Sequence, residues 1–380
     1  MDTGNKCLRG ISLVPGVCQV TSLVENIYLR PIIQPLPRTL RNAARRPLKK
    51  EILIIFIELS SGKLGIGECW TAGIGIEALT EIINTKLIPA ITAKTPKQAR
   101  HTLQTHLEQA IEENNKAHAS SISGLDCALW VAEAKDKNIP LYQLLGGNHE
   151  PVYSYASGGL YNDNKKLNDL ADEVRGFIAK GFDAIKIKVG GAPIKEDVAR
   201  VRVVRQAIGR DKKLMIDANG ALSSEDAVTL SEQIKDQDIY WLEEPCLEGL
   251  TDLRKKCKIP ICGYEQQIGR QSFIDLIVPG LLEYVQFDLS ICGGITEGRQ
   301  ILTASGRLPV SLHGSSSVAL YLTNLHFATA FRAIKSVEFH MVHQWSLANI
   351  EGHKFNIKDG LTKVSNKSGI GFDLKPSDIP

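Results

Sequence analysis

The sequence predicts an α/β fold, namely a (β/α)7β TIM-like barrel with an α+β capping domain formed by the N-terminal segment and the C-terminal tail. Two observations support this prediction. After about residue 150, short β-branched runs that end in a polar residue alternate with amphipathic segments about every 25 residues, and the first 150 residues lack this repeat. We therefore expect a capping domain at 1–150, a barrel at 151–345 and a segment at 346–380 that returns to the capping domain.

Eight β-branched runs make up the repeat. They are Val152–Ser157, Ala184–Val189, Lys213–Asp217, Ile239–Glu243, Ile261–Glu265, Tyr284–Asp288, Pro309–His313 and Ser336–Met341. Neighbouring parallel strands are joined by a right-handed crossover through a helix, so eight such units predict a closed barrel. A doubly wound open sheet is the alternative. Neither GxGxxG nor GxxxxGK[ST] follows any run, which disfavours its nucleotide-binding forms.

The segments between the runs have helical periodicity. Apolar residues fall on one face before Gly181 and again before Gly209, and glycine commonly ends a helix in a left-handed turn. Ser223, with Asp226 three residues later, resembles a capping box at the start of a helix. These signals predict that helices alternate with the barrel strands.

The first 150 residues predict an α+β region. Glu51–Leu59 and Leu64–Glu68 flank a Ser-Ser-Gly-Lys turn and form a hairpin signal, and helical stretches follow through Leu125–Lys135. The tail after about residue 346 is too long for an ordinary barrel ending. We therefore expect it to return to the N-terminal domain.

The composition indicates an enzyme-sized globular protein that acts on small molecules. The 380 residues include 45 basic and 42 acidic side chains, a near balance that disfavours nucleic acid as a partner. Eight cysteines occur without a CxxC motif, which favours reduced thiols and a cytoplasmic location. The most apolar stretch, Ile52–Ile57, is too short to span a membrane. We expect no membrane partner and a homo-oligomer.

Two lysines near the end of the second run are candidate catalytic residues. Side chains alternate along a strand, so Lys186 and Lys188 share the face that points into the barrel. Barrel enzymes place their reacting groups at this end of the strands. Two neighbouring ammonium groups raise each other's cost of charging, and a neutral lysine can act as a base. A solvated or ion-paired lysine pair is the alternative for this motif taken alone.

Carboxylates end the next three runs, at Asp217, Glu243 and Glu265. Strand ends of a barrel converge, so these groups would repel each other unless a cation lies between them. A hard divalent ion with few protein ligands and room for water fits Mg²⁺ better than Ca²⁺. Separate salt bridges at the barrel rim are the alternative. Glu244 is expected to face the other way.

The last three runs each contain a candidate acid or base. Asp288 ends the sixth run and His313 the seventh, and an aspartate one strand away can orient an imidazole and raise its basicity. A lone barrel histidine is more often an ordinary core residue. Glu338, in the eighth run, could hydrogen-bond a substrate carboxylate if it is protonated in a dry pocket, or it could be an ordinary rim carboxylate.

These residues together resemble the enolase superfamily, and within it the mandelate racemase subgroup, over nearly the whole chain. The resemblance is carried by Gly65–Glu68, by the helix Ser123–Lys135 that runs on to Gly147, and by the ordered set from Lys186 to Glu338. It implies a Lys or His base acting with magnesium, a pairing that is general for such sites.

The resemblance also implies individual roles. Asp217, Glu243 and Glu265 match the metal ligands, and Lys188 matches a base on one face of the substrate. His313 with Asp288 matches the base on the other face, Lys186 lies near the substrate carboxylate, Glu338 matches the electrophilic acid and Asn219 a substrate-contacting position.

We expect the protein to dehydrate a sugar acid to a 2-keto-3-deoxy acid with Mg²⁺. A racemase or epimerase of a carboxylate is the alternative, because it would use the same enediolate intermediate. A glycosidase would not need three metal-spaced acids with paired lysines, and a catalytically silent protein should have lost part of the set. The basic segment from Arg30 to Lys50 indicates either a contact to a second substrate carboxylate or a solvated face.

Overall fold

The computed structural model describes residues 22–36, 40–314, 316–342 and 355–379. Cys7 and Cys18 lie outside these ranges. A closed barrel of eight parallel strands forms the larger part of the described chain, and an α+β region covers it. The strands are β5 Val152–Gly158, β7 Ala184–Lys188, β8 Lys213–Asp217, β9 Ile239–Glu243, β10 Ile261–Gly263, β11 Tyr284–Phe287, β12 Val310–Leu312 and β13 Ile334–His340. Pairing of β13 with β5, in the register Val337 to Ser154, closes the barrel.

Seven helices alternate with these strands and confirm the predicted α/β barrel. They are α6 Leu167–Ala179, α7 Ile194–Ile208, α8 Ser224–Gln233, α9 Leu250–Lys256, α10 Gly269–Ile277, α11 Gly294–Ser305 and α12 Val318–Ala330. The predicted end signals act as expected, because Gly181 and Gly209 have φ of 94° and 81° after α6 and α7. The Ser223 hydroxyl accepts a hydrogen bond from the Asp226 amide at the start of α8.

The N-terminal region pairs a three-stranded antiparallel sheet with helices. Its strands are β1 Val24–Pro35, β3 Lys49–Leu59 and β4 Leu64–Cys69, in the order β1-β3-β4. Its helices are α1 Ile76–Ile82, α2 Ile88–Ile91, α3 Pro96–Glu112, α4 Lys116–Asp136 and α5 Leu141–Leu144. The hairpin of β3 and β4 is therefore present as predicted. A two-residue strand, β2 (Leu40–Arg41), pairs instead with β6 (Tyr161–Asn162), which follows the first barrel strand.

The C-terminal residues contact both the barrel and the N-terminal region. Strands β14 (Ile357–Lys358) and β15 (Leu361–Thr362) form a hairpin whose second strand pairs with β5. Further along, the Gly369 carbonyl accepts a hydrogen bond from the Leu141 amide at 2.7 Å. Asp373 forms an ion pair with Lys135 at 2.9 Å. Domain boundaries at residues 150 and 345 stay a prediction.

Large buried side chains fill the barrel interior below the carboxyl ends of the strands. The interior below them is filled by buried Tyr155, Met215, Trp241 and Cys262. Side chains on the outer face of the strands pack against the helices. The alternation of side chains along each strand predicts this packing. The charged side chains of Lys186, Lys188, Asp217 and Glu243 lie further along the strands, at their carboxyl ends.

Candidate active site

The strand register brings the predicted polar side chains together. Lys188 pairs in register with Asp217, and Asp217 with Glu243, so the three side chains point into the barrel at the same level. The strands are shorter than predicted at the next positions, because β10 ends at Gly263, two residues before Glu265. Asp288 and His313 likewise lie one residue beyond β11 and β12.

Both lysines are held by carboxylates of the same site. The Lys186 ammonium group contacts Glu243 and lies 3.6 Å from Asp217 Oδ2 and 3.2 Å from Glu338 Oε1. Lys188 contacts Asp217. Burial lowers the pKa of Lys188, and Lys186 lowers it further, but Asp217, Glu338 and Glu243 together outweigh both and the net pKa is raised. The predicted mutual weakening of the two ammonium groups is therefore present but smaller than the effect of the carboxylates.

The first two predicted ligands carry further hydrogen bonds. Asp217 Oδ1 accepts from the Asn219 amide at 2.8 Å, and Oδ2 accepts from the Asn219 side chain at 3.2 Å. Glu243 Oε2 accepts from Trp241 Nε1 at 3.1 Å and from Gln286 Nε2 at 3.0 Å. Burial raises the pKa of Glu243 to about 8, although Lys186 opposes this shift. These bonds hold both carboxylates in place beside the two ammonium groups.

Glu265 differs from the other two carboxylates because its Oε2 is buried and has no hydrogen-bond partner among the described residues. Its backbone amide donates to Glu244 Oε1 at 2.9 Å, which shows that Glu244 supports the segment from outside the site. Within the described ranges, no three His, Cys, Asp or Glu side chains are arranged to hold a metal ion as they stand. The donor chemistry of the three acids nevertheless fits a hard divalent ion, because they offer only oxygen and one oxygen is unsatisfied.

On the opposite side of the mouth, His313 is held from behind. Its Nδ1 lies 2.7 Å from Asp288 Oδ2, while Asp288 Oδ1 accepts hydrogen bonds from the Ser290 amide at 2.7 Å and the Ser290 hydroxyl at 2.5 Å. The other imidazole nitrogen, Nε2, lies 3.4 Å from Glu338 Oε2 and 3.8 Å from Glu265 Oε1. Burial lowers the pKa of His313, but Glu338, Glu265 and Asp288 raise it to about 10.

Glu338 is a buried carboxyl group, and the interpretation of it as an ordinary rim carboxylate is wrong. Its relative exposure is 0%, so it is not a rim carboxylate. Burial raises the pKa of Glu338, but Lys186 and His313 outweigh burial and hold it well below the ordinary value. Two cations within 3.4 Å therefore favour its ionised form in this arrangement, and its role as an electrophilic acid stays a prediction.

A cavity of about 570 Å³ joins these groups to the N-terminal region. Its barrel wall includes Lys188, Asn219, Glu265 and His313, and its outer wall comes from residues 36, 40–42, 44–45, 47–51 and 70–75. The side-chain oxygen of Asn219 is buried and has no hydrogen-bond partner in the part of the chain that the structure describes. Both candidate bases therefore face one enclosed space, with carboxylates between them.

Trp70 belongs to the site, although no local sequence signal identified it. Its ring centroid lies 5.5 Å from that of His313, and its backbone amide donates to the Ser290 carbonyl at 3.0 Å. The residue directly follows β4, so its position depends on how the N-terminal region docks. From the sequence alone, a tryptophan at the end of a hairpin would be interpreted as a core residue.

A second group that sequence reasoning missed supports Lys188. Arg200 donates to the Lys188 carbonyl at 3.3 Å and lies 4.1 Å from the centroid of the Tyr161 ring. Arg41, from the N-terminal region, lies 4.5 Å from the same ring and donates to the Gly191 carbonyl at 2.6 Å. The Tyr161 hydroxyl donates to buried Asp197 at 2.5 Å. These contacts attach the N-terminal segment to the loop that follows Lys188.

Comparison with known proteins identifies the family. Acid–base groups at the carboxyl ends of the strands are typical of enzymes that have a TIM-barrel fold. Two family models match, "Mandelate racemase / muconate lactonizing enzyme, N-terminal domain" over residues 32–146 and "Enolase C-terminal domain-like" over residues 169–378. The chain belongs to the enolase superfamily, in its mandelate racemase and muconate lactonizing enzyme family.

Similar proteins include enzymes that act on sugar acids and their lactones. The chain is 28% identical to an arabinonate dehydratase of Saccharolobus solfataricus, with 88% of this chain and 91% of that protein covered. It is 31% identical, with the same coverage, to a D-galactarolactone cycloisomerase of Agrobacterium fabrum. The structure of a racemase from Streptomyces coelicolor with bound magnesium superposes with a TM-score of 0.85 at 25% identity, covering 94% and 99% of the two chains. Among the described residues, no helix is long and apolar enough to cross a membrane.

Proposed function

We propose that the protein dehydrates a sugar acid to a 2-keto-3-deoxy acid, with Mg²⁺ as its cofactor. The observation that carries this proposal is that Lys188 and His313 line one cavity together with Glu265. A proton next to a carboxylate is weakly acidic, so its removal needs a positioned base and stabilisation of the resulting enediolate. The arabinonate dehydratase among the relatives carries out a reaction of this class.

Asp217, Glu243 and Glu265 would hold the magnesium ion. When bound, the ion would stabilise negative charge on the substrate carboxylate and would replace the lysine ammonium groups as the counter-charge of these oxygens. A Lys188 that is no longer paired with Asp217 has a lower pKa, because Asp217 is the main cause of its raised value. Lys186 remains near Glu338 and can donate a hydrogen bond to the substrate carboxylate.

The reaction then breaks two bonds. Lys188 or His313, depending on substrate configuration, takes the α-proton, and the electron pair of the C–H bond forms the enediolate. A protonated base donates a proton to the β-hydroxyl group, the C–O bond breaks and water leaves. The resulting enol gains a proton at carbon to give the keto acid. When Lys188 takes the α-proton, the raised pKa of His313 favours its protonated form as the donor of this proton.

Racemisation or epimerisation is the second candidate, because a base on each side of the cavity could exchange the α-proton without loss of the hydroxyl. One experiment separates the two reactions. The protein is incubated with Mg²⁺ and a panel of mono- and diacid sugars in heavy water, and keto acid and α-deuterium are followed by NMR. We expect keto acid. Deuterium in an inverted product without keto acid would favour an isomerase, and neither signal with any substrate would reject the proposed chemistry.

A further inference from the structure

The outer part of the cavity has an excess of positive charge. Five Lys and Arg residues line the cavity but only two Glu residues and no Asp. The cations are Arg41, Arg45, Lys49, Lys50 and Lys188, and the acids are Glu51 and Glu265. Clefts lined by one sign of charge attract ligands of the opposite sign. This excess indicates a ligand that carries more negative charge than one carboxylate provides.

Most of these cations are already engaged. Arg41 donates to the Gly191 carbonyl, and Lys49 forms an ion pair with Glu51 at 2.8 Å. Lys50 is close enough to Glu68 and Asp288 for both acids to raise its pKa, although burial lowers it more. Lys188 contacts Asp217. These pairings leave little of their charge for the distal end of a ligand.

Arg45 is different because its guanidinium group makes no hydrogen bond or ion pair with any residue in the described ranges. Its backbone is fixed by a turn in which Asn42 Oδ1 accepts from the Ala44 amide at 3.0 Å and the Arg45 amide at 2.6 Å. The Asn42 amide in turn donates to the Arg45 carbonyl at 3.0 Å. The guanidinium packs against Gly73, where its nitrogen lies 3.2 Å from the position a Cβ atom would take. A rigid turn therefore presents an unpaired arginine to the cavity.

We propose that Arg45 binds a second carboxylate at the far end of the substrate, so that the substrate is a diacid sugar. A guanidinium group offers a planar fork that matches a carboxylate. The α-carbon of the substrate would lie between Lys188 and His313 with its carboxylate near Lys186, and the outer wall of the same cavity would hold the second carboxylate. This inference rests on the proposed function and specifies the substrate class of that site.

The neighbouring Arg46 provides a matched control. It does not line the cavity, and it forms a two-pronged pair with Asp163 at 2.7 Å and 3.0 Å. Both arginines are exposed and occupy the same loop, so replacing either by glutamine removes one charge without disturbing the core. A loss specific to Arg45→Gln therefore reports on the cavity and not on the general charge of the segment.

The test compares hexarates with hexonates of the same configuration at C2 to C5, in the presence of Mg²⁺. Keto-acid formation and α-deuterium exchange are measured for the wild type, Arg45→Gln and Arg46→Gln. We expect the wild type to prefer the diacid at least about tenfold in kcat/KM, and Arg45→Gln to lose about 10- to 100-fold on the diacid, mainly through KM. Its kcat/KM on any monoacid that reacts should change less than about threefold, and Arg46→Gln should resemble the wild type on both.

Three results would overturn the assignment of a diacid: equal use of monoacids and diacids by the wild type, an equal loss on both classes in Arg45→Gln, or an equal loss in Arg46→Gln. Turnover confined to monoacids rejects this inference and leaves the proposed function standing. No exchange and no keto acid with any sugar acid rejects the proposed function, and this inference with it.

Discussion

The two sides of the barrel mouth hold their candidate bases in different ways. On the lysine side, Lys186 and Lys188 are held by Glu243 and Asp217, which are themselves the predicted metal ligands. On the histidine side, His313 is held by Asp288, which lies behind the imidazole and is fixed by Ser290. The state of the lysines therefore depends on what the carboxylates bind, whereas the orientation of the histidine does not.

This difference has a chemical consequence. Any cation that competes for Asp217 and Glu243 changes the charge and position of the lysines, because ion pairs in a buried site strongly shift pKa values. The imidazole keeps its Nδ1 contact to Asp288 under the same change. We infer that cofactor binding would release the lysines from Asp217 and Glu243, whereas it would not change the orientation of His313 by Asp288.

The largest expected effect is the loss of activity when the divalent ion is removed. Chelation, or replacement of Glu243 by Gln, should lower keto-acid formation by about 10³-fold or more, since a metal supplies several kcal/mol of charge stabilisation. Added Mg²⁺ should restore the chelated wild type but not Glu243→Gln. The exposed Glu232→Gln on α8 serves as control. Full activity after exhaustive chelation would contradict the metal assignment.

Replacement of Lys186 by Met should destabilise the protein more than any single change on the histidine side. Lys186 contacts Glu243 and lies 3.2 Å from Glu338, so its loss leaves buried carboxylates without a counter-ion. We expect a decrease of about 3–5 kcal/mol in the free energy of unfolding, measured by urea titration in EDTA. Lys235→Met, which removes an exposed cation, should change it by less than about 1 kcal/mol. An equal decrease in the free energy of unfolding in both variants would contradict the claim that the buried ion pairs of Lys186 contribute more to stability than the exposed pair of Lys235.

Asp288→Asn tests the histidine side alone. The imidazole stays in place but loses the carboxylate that orients it, so the rate should fall by about 10- to 100-fold. His313→Asn should lose more, about 10²- to 10⁴-fold, when His313 is the required acid or base. The two rate constants are compared at saturating Mg²⁺. If Asp288→Asn reduced Mg²⁺ affinity as strongly as Glu243→Gln, the independence of the two sides would be wrong.

The smallest expected effect concerns the contact between the N-terminal segment and the Lys188 loop. Tyr161→Phe removes the donor to buried Asp197 and the acceptor for the Gly191 amide. It should cost about 1–3 kcal/mol in the free energy of unfolding, with a modest decrease in kcat. Tyr28→Phe, which removes a hydrogen bond to Glu58 near the surface, should cost less than about 1 kcal/mol. An unchanged unfolding curve for Tyr161→Phe would show that the network does not hold this loop.

Much of the barrel could be predicted because its signals are local. Alternation along a strand placed Lys186 and Lys188 on the inner face, and the polar residues at successive strand ends converge for purely geometric reasons. The exact strand ends were less predictable, since Glu265 lies past Gly263, where the ladder ends. Strand length depends on neighbouring strands, which local sequence does not report.

The remainder depends on contacts between distant segments. Trp70 reaches His313 only because the N-terminal region docks on the barrel, and Arg41 meets Tyr161 for the same reason. The charge of Glu338 depends on the sum of Lys186 and His313 against burial, and a sequence cannot supply that sum. Predicting such a pKa requires the distances between the groups, because the opposing contributions to the pKa are similar in size.

The most direct test of two bases in one cavity is α-proton exchange in heavy water with two sugar acids that differ only in configuration at C2. Lys188→Ala and His313→Asn are compared with the wild type, after circular dichroism and Mg²⁺ binding have shown that each variant is folded and binds the ion. The account predicts that Lys188→Ala loses exchange with one C2 epimer, whereas His313→Asn retains it there without loss of the hydroxyl group or inversion. The other epimer should reverse the assignment. Unchanged exchange and turnover in both variants with both epimers would contradict the account.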